Sequence, residues 1–333
     1  MIRYLIAGRL QRDFILTKDG KPHNDIPGGS LLHAATGFSI WDSNCGLIGR
    51  IGEDFPQHWL ESLSKANMDI RGIRILPENI DLRTFISHFE IPEIVSENPL
   101  SYFSHIGMKF PKSLLGYTRE SLPFQYNDFP IKYTIHQSDI PSDYTEATSA
   151  HLCPMDFNSY AILIPALKSG NIQTISLEIP EELFDPIFDE TLKPLIRDIT
   201  IFITSERKIK KYFRGYHMDI WEMAEAIAKN GCEAVIIKSG QSGQYIFDTN
   251  GNKRWLLPIY PVNIYDETGA GDAFAGGFMA GYKLSYDPLE AALYGNISAS
   301  FSLEGTSPFY LIDTLPGLPQ ARLDNLRGMV KRI

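Results

Sequence analysis

The sequence predicts an α/β protein built on a mostly parallel sheet, and three observations carry that reading. Short apolar runs recur along the chain and suit strands buried on both faces. Helical patterns stand between them, an order of strand, helix, strand, helix that favours parallel pairing. Glycine-rich turns sit where strands hand over to helices, the places where open α/β folds hold ligands.

Each element follows from its residues. Ile2 to Ala7 is an apolar run ending at Gly8 and reads as a first buried strand. It is too short for a signal peptide, and no candidate spanning segment follows, so a cytoplasmic protein without a membrane partner is the expectation. Asp13, just after this strand, can reach a site at the sheet's carboxyl edge or serve as a plain turn residue. Pro27-Gly28-Gly29-Ser30 opens a helical pattern through Leu31, Leu32, Ala35, Phe38 and Trp41. Cys45 to Gly49 reads as a strand, and Gln57 to Ala66 as an amphipathic helix.

From about Ile70 to Ser149 the pattern changes. Leu82 to Phe89 alternates like a strand with one polar face, and beyond Glu90 come prolines, tyrosines and phenylalanines with short periodic runs such as Ile131 to Ile135. A small β appendage with a long, partly ordered insertion is expected there, its aromatic residues forming a second small core. This divides the chain into a core of residues 1–69 and 150–333 and an appendage of residues 70–149.

Alternation then resumes. Strands are expected at Ser149 to Cys153, Gln173 to Glu178, Thr200 to Thr204 and Glu233 to Lys238. Helices are expected over Ser159 to Lys168, Leu183 to Arg197, Glu206 to Phe213 and Met218 to Lys229. Thr249-Asn250-Gly251 marks a hairpin, and Pro288 to Phe301 a closing helix.

Composition removes several classes of function. The 333 residues carry a net charge of -9, and no Lys/Arg cluster is long enough to track phosphates, so a nucleic-acid partner is not expected. The basic run from Arg207 to Lys211 reads as a solvated helix face. Cys45, Cys153 and Cys232 lack metal or redox spacing, which suits buried thiols in a reducing compartment. Neither common nucleotide loop, Gly-x-x-x-x-Gly-Lys-Ser/Thr or Gly-x-Gly-x-x-Gly after a strand, occurs. His-Glu-x-x-His and Gly-x-Ser-x-Gly are missing as well.

The stretch from Tyr265 to Tyr282, YDETGAGDAFAGGFMAGY, concentrates the chemistry. Gly269, Ala270 and Gly271 bend the chain, and Asp272 stands at the mouth of a helix whose free amides and dipole attract an anion. There an aspartate can take a hydroxyl proton while the amides hold a phosphoryl group. The plain alternative is a tight loop with an acid at a helix start. Gly276, Gly277 and Gly281 inside the helical pattern each cost roughly 1 kcal/mol against Ala, which close packing or a ligand has to offset.

Gly28-Gly29 before a helix, Gly49-Arg50-Ile51-Gly52-Glu53-Asp54, Gly240-x-x-Gly243 after a strand, and Asp266-x-Thr268-Gly269-Ala270-Gly271-Asp272 occur in that order. In this the chain resembles the ribokinase-like (PfkB) carbohydrate kinases, from about Asp13 to Gly305. The resemblance implies a three-layer α/β/α sandwich with a small β lid around Arg83-Thr84-Phe85, a lid that forms a dimer contact in several members. It implies Asp272 as catalytic base, Gly269, Ala270 and Gly271 as anion hole, and Asp13, Gly28 and Gly29 as holders of substrate hydroxyls. Ser205, Lys238, Gly240, Gly243 and Asn296 fall on the ATP side. Asp266 and Thr268 match the place where many members bind a monovalent cation such as K+, and Mg2+ would accompany ATP.

The implied activity is ATP-dependent phosphorylation of a hydroxymethyl group of a sugar, with a nucleoside as the alternative acceptor. Departures from the family pattern mark what is particular here. His33 stands where an asparagine usually touches the substrate, and Phe55-Pro56 falls where the family has a glycine. Glu178 replaces the usual aspartate, and Ser205-Glu206-Arg207-Lys208 puts lysine where an acid is usual. A protein that binds such ligands without efficient turnover is the rival reading.

Overall fold

The computed structural model describes residues 2–89, 97–119, 131–329 and 331–332. The parts of the expected insertion at residues 90–96 and 120–130 lie outside the described residues. The first half of the chain runs β1 (Tyr4–Ala7), β2 (Gln11–Leu16), β3 (Pro22–Gly28), α1 (Ser30–Ser39), β4 (Cys45–Gly52), α2 (Gln57–Lys65), β5 (Asp69–Leu76), β6 (Arg83–Ser87) and α3 (Pro99–His105). It continues with β7 (Ser149–Leu152), α4 (Phe157–Lys168), β8 (Thr174–Glu178), α5 (Asp189–Arg197), β9 (Ile201–Ser205), α6 (Glu206–Tyr212) and α7 (Ile220–Ala228). The last part comprises β10 (Ala234–Lys238), β11 (Gln244–Asp248), β12 (Lys253–Leu257), α8 (Ala270–Ser285), α9 (Pro288–Ser302), α10 (Leu318–Arg327) and β13 (Lys331–Arg332).

Ten strands form one sheet in the order β13-β12-β11-β10-β9-β8-β7-β1-β4-β5. From β10 to β5 every pairing is parallel, and β11, β12 and β13 extend the β10 edge antiparallel. Alternate residues of β1 show how the sheet divides two cores. Leu5 and Ala7 join the apolar cluster with α4, α5 and α7, whereas Tyr4 and Ile6 join the one with α1 and α2. A third cluster packs α8, α9 and α10 over β9 to β12. Helices therefore cover both faces, the three-layer arrangement expected of a ribokinase-like fold.

A separate three-stranded sheet has the order β3-β2-β6. β2 runs parallel to β6 with Asp13 opposite Thr84, and antiparallel to β3 with Asp13 opposite Ile26. Its apolar face has its own small core, in which Phe14, Leu16 and Phe85 meet Phe103 of α3 and Leu114. The Arg83 guanidinium ties this cover down, its Nη1 donating to Ser113 O at 2.7 Å and Leu115 O at 3.1 Å.

Sheet membership therefore differs from the division expected at residues 69 and 70. β2 and β3, from the expected core, build the small sheet, and β5, from the expected appendage, pairs with β4 in the large one. β5 escaped the sequence reading because Arg71 and Arg74 interrupt its apolar run, as suits a strand open to water on one side. The helix expected from Leu183 begins at Asp189 instead, after a short turn at Pro186–Phe188 in which the Asp185 side chain accepts the Ile187 amide at 3.2 Å. Proline, unable to donate, favours such a start over a helix interior. The run Ile131 to Ile135 forms a turn, with Tyr133 and Ile135 buried in the two large cores.

Candidate active site

The loop before α8 is pinned first by its backbone. The Tyr265 and Asp266 amides both donate to Leu303 O, at 2.7 and 3.3 Å, and the Thr268 amide donates to Asp266 Oδ1 at 2.8 Å. Gly269 then takes a left-handed conformation with φ 72° and starts the helix. Only glycine fits, because a Cβ there would stand 2.1 Å from the His33 ring. Farther along α8, a Cβ on Gly276 would meet Ala34 O of α1 at 1.9 Å, and one on Gly277 would meet Ser298 Oγ of α9 at 2.1 Å. The glycines that weaken this helix on its own let two neighbours close on it.

Asp272 borders a cavity of about 320 Å³ with Arg9, Gln11, Arg83, Thr84 and Tyr117. Burial pushes its carboxyl up to about 6, with Glu178 adding to the rise and Lys238 and Lys208 opposing it. A second cavity, of about 710 Å³, is lined by Ser205, Lys238, Gly240, Gln244, Gly271 and Phe274 among others. The mouth of α8 thus serves both cavities, through Asp272 in the first and Gly271 in the second.

Two departures from the family pattern prove to be one feature. Lys238 Nζ lies 2.7 Å from Glu178 Oε2, Lys208 Nζ lies 3.2 Å from Oε1, and Lys238 also donates to Gly271 O at 3.0 Å. Burial raises Glu178, but the two ammonium groups outweigh it and hold the carboxyl well below its ordinary range. Glu206, the other acid nearby, takes the Ser239 hydroxyl and the Lys210 ammonium. Both carboxylates are already engaged, and among the described residues no cluster of three His, Cys, Asp or Glu side chains is placed to hold a metal ion. Ser205 caps α6, accepting the Lys208 amide at 3.3 Å.

Asp13 is buried beside Gly28, where a Cβ would come 1.9 Å from its Oδ2. Burial pushes its carboxyl up to about 7, Asp266 and Asp272 add to the rise, and the Gly29 amide opposes it. Its Oδ1 has no hydrogen-bond partner among the described residues. Gly29, at φ 92°, begins α1. Burial drives the His33 imidazole down to about 4, and neither ring nitrogen has a hydrogen-bond partner among the described residues.

Asp266 is buried and meets an unforeseen side chain. His88 Nε2, at the end of β6, lies 3.2 Å from Asp266 Oδ1 and 2.8 Å from Thr268 Oγ1. Burial raises Asp266, but the His88 ring and the Thr268 amide and hydroxyl outweigh it and leave the carboxyl below its ordinary value. The pair expected to hold a monovalent cation therefore turns its hydroxyl and one carboxylate oxygen toward an imidazole. The other carboxylate oxygen, Asp266 Oδ2, has no hydrogen-bond partner among the described residues.

Asn296 and Gly243 stand apart from both cavities. The Asn296 side chain donates to Gln244 Oε1 at 2.7 Å and Pro258 O at 2.8 Å and accepts the Tyr260 amide at 2.8 Å, so it braces the wall of the larger cavity from behind. Gly243 is where β11 turns away, with room for no side chain because a Cβ would meet Leu257 O at 2.1 Å. His88 carried no motif signal, and Arg9 and Gln11 carried only that of a strand end near a site.

A three-layer α/β sandwich with a small sheet of its own and a glycine-turned helix mouth between two cavities is the architecture of the ribokinase-like fold. The profile of the pfkB family carbohydrate kinases matches residues 144–314. The chain is 26% identical to a cytidine kinase of Thermococcus kodakarensis over 85% of this chain and 89% of that protein. It is 35% identical to a nucleoside kinase of Methanocaldococcus jannaschii over 83% of this chain and 79% of that one. An Escherichia coli protein described as ribokinase II, solved with ATP and Mg2+, superposes with a TM-score of 0.71 at 17% identity, covering 99% of this chain and 100% of that chain. The chain belongs to the PfkB family of carbohydrate kinases. Among the described residues no helix is long and apolar enough to cross a membrane.

Proposed function

We propose that this kinase transfers the γ-phosphoryl group of ATP to a hydroxymethyl group of a sugar, free or as the ribosyl part of a nucleoside. The observation that carries the proposal is Asp272, a half-buried carboxyl pushed up to about 6 on the wall of the smaller cavity, next to Gly271 of the larger one. A carboxyl of this kind is ionised at neutral pH yet basic enough to accept a hydroxyl proton in the transition state. The acceptor lies in the smaller cavity against Gln11 and Thr84, and ATP lies in the larger one along Lys238, Gly240 and Phe274.

In this mechanism the acceptor oxygen forms a bond to the γ-phosphorus as its proton passes to Asp272, and the bond to the bridging oxygen breaks to leave ADP. The first-turn amides of α8 stabilise charge on the transferred group. Lys238, held on Glu178 and Gly271 O, keeps a fixed positive charge at the same turn. Mg2+ would offset the charge of the nucleotide phosphates, and because Glu178 and Glu206 already hold lysine and serine partners it would be held mainly by phosphate and water. The adjoining small sheet, with Thr84 in the cavity wall, acts as the lid that excludes water.

A nucleoside acceptor is favoured by the two relatives named for such substrates, both matched over most of this chain. ADP release measured with ATP across pentoses, hexoses, ribonucleosides and deoxyribonucleosides separates the acceptors. Tight binding of one of them with no product from any would favour a binding protein and overturn the kinase mechanism.

A further inference from the structure

Among the described residues, three polar contacts join the small sheet and its β2–β3 turn to the loop before α8. Lys18, beyond the end of β2, pairs with Glu267, and Lys21 Nζ donates to Tyr265 Oη at 3.2 Å. Both of these are solvent-exposed, and such pairs contribute little alone. The third contact differs in kind. The His88 side chain is buried, its backbone amide donates to Leu16 O of β2 at 2.9 Å, and its Nε2 reaches Thr268 Oγ1 and Asp266 Oδ1 together. Because an ionised carboxylate can only accept, Nε2 carries the hydrogen in this arrangement.

We infer that His88 is a positioning residue that cross-links the small sheet to the catalytic turn and does so in place of a bound monovalent cation. This rests on the kinase reading, with Gly269 to Asp272 as the reacting turn. Asp266 Oδ1 already receives the Thr268 amide, so the imidazole completes a closed arrangement one residue before Gly269. The remaining oxygen, Asp266 Oδ2, is buried without a hydrogen-bond partner among the described residues. A cation seated on Oδ2 alone would lack the Thr268 hydroxyl, which the ring has taken. Three consequences follow for the molecule. Added potassium leaves turnover unchanged, loss of the ring nitrogen slows the chemical step through the turn, and an amide in the same place restores part of the cross-link.

The test compares wild type, His88→Leu and His88→Gln, first in tetramethylammonium buffer and then with added KCl. Kinetics use ATP and whichever acceptor the wild type phosphorylates. The expected result is a wild-type kcat unchanged within about twofold by K+. His88→Leu should lose about tenfold or more in kcat with the ATP KM nearly unchanged, and His88→Gln should recover a large part of that loss. A wild-type kcat that rises tenfold with K+, or a His88→Leu variant as fast as wild type, overturns the inference. Amide hydrogen exchange over residues 265–272 is the readout independent of turnover: it should quicken in His88→Leu while exchange in the strands of the large sheet stays slow. Unchanged exchange over those residues overturns the cross-link, and global quickening in both variants assigns His88 to plain folding and overturns it too. A wild type that phosphorylates no acceptor sinks the kinase reading, and the exchange comparison then decides the cross-link by itself.

Discussion

Asp272 concentrates the residue-scale argument, because the burial that makes it basic also makes it costly. Its folded value is about 6, above the ordinary carboxylate value near 4, so the folded protein holds that proton more tightly than the unfolded chain. The associated stability is fully present below the ordinary value and is lost as pH rises through about 6. Asp272→Asn should therefore slow kcat by roughly 10²- to 10⁴-fold while adding on the order of 1–3 kcal/mol of stability at pH 7.5, read as a higher Tm. A variant that kept full turnover would remove Asp272 from the role of base. In the wild type, kcat/KM should fall as pH drops through about 6, where the base becomes protonated, in a profile measured at saturating ATP.

Gly28 offers a second residue-scale test. Its missing Cβ is what admits the Asp13 carboxyl, so Gly28→Ala should displace Asp13 and raise the acceptor KM about tenfold with the ATP KM little changed. Equal rises in both constants would show that Asp13 serves the fold rather than the acceptor. Asp13, Gly28 and Asp272 were legible in the sequence because their motifs compress backbone geometry and chemistry into adjacent positions. His88 and Arg9 were not legible, since each owes its place to contacts between segments far apart in the chain, His88 with Thr268 and Arg9 with the Tyr133 ring 4.3 Å away.

At the scale of elements, β8, α6 and β10 together build the Glu178, Lys208 and Lys238 group. Lysine at 208 looked like a defect when set against the family's acid, and glutamate at 178 like a separate change. The parallel pairing of β8 with β9 and of β9 with β10 brings them into contact, where each explains the other. Lys208→Met should leave Glu178 with one ammonium, raise the ATP KM several-fold and lower Tm. A Lys208→Met, Glu178→Gln double variant should recover part of the stability loss, as thermal melts of the four proteins in a double-mutant cycle would show. Periodicity located most strands and helices of the large sheet within a few residues. It missed β5, interrupted by arginines, and β2 and β3, whose polar residues break the apolar pattern.

For the whole molecule, the two cavities meeting at one helix mouth set the order of chemistry. In the proposed arrangement, with acceptor and nucleotide beside Asp272 and Gly271, the phosphoryl group has no need of a stop on the protein. Initial rates should give intersecting, sequential patterns, and ADP-to-ATP exchange without acceptor should be negligible. Rapid exchange, or phosphate retained on the protein after gel filtration, would contradict direct transfer. The net charge of -9 agrees with small-molecule work, in which the local positive charge of Lys208 and Lys238 matters and the overall field does not.

The glycines of α8 bear on how such a protein changes over time. Because Gly276 and Gly277 leave no space between this helix and its neighbours, the turn at its start is anchored to closely packed helices. The small sheet has a separate core and contributes Gln11, Arg83 and Thr84 to the wall of the smaller cavity. In the proposed reading, substitutions at Gln11 and Thr84 of that sheet alter which alcohol is accepted, whereas His88 at its end keeps the tie to the turn before α8. Diversity of substrates is thereby confined to a replaceable cover, while the reaction is inherited with the framework.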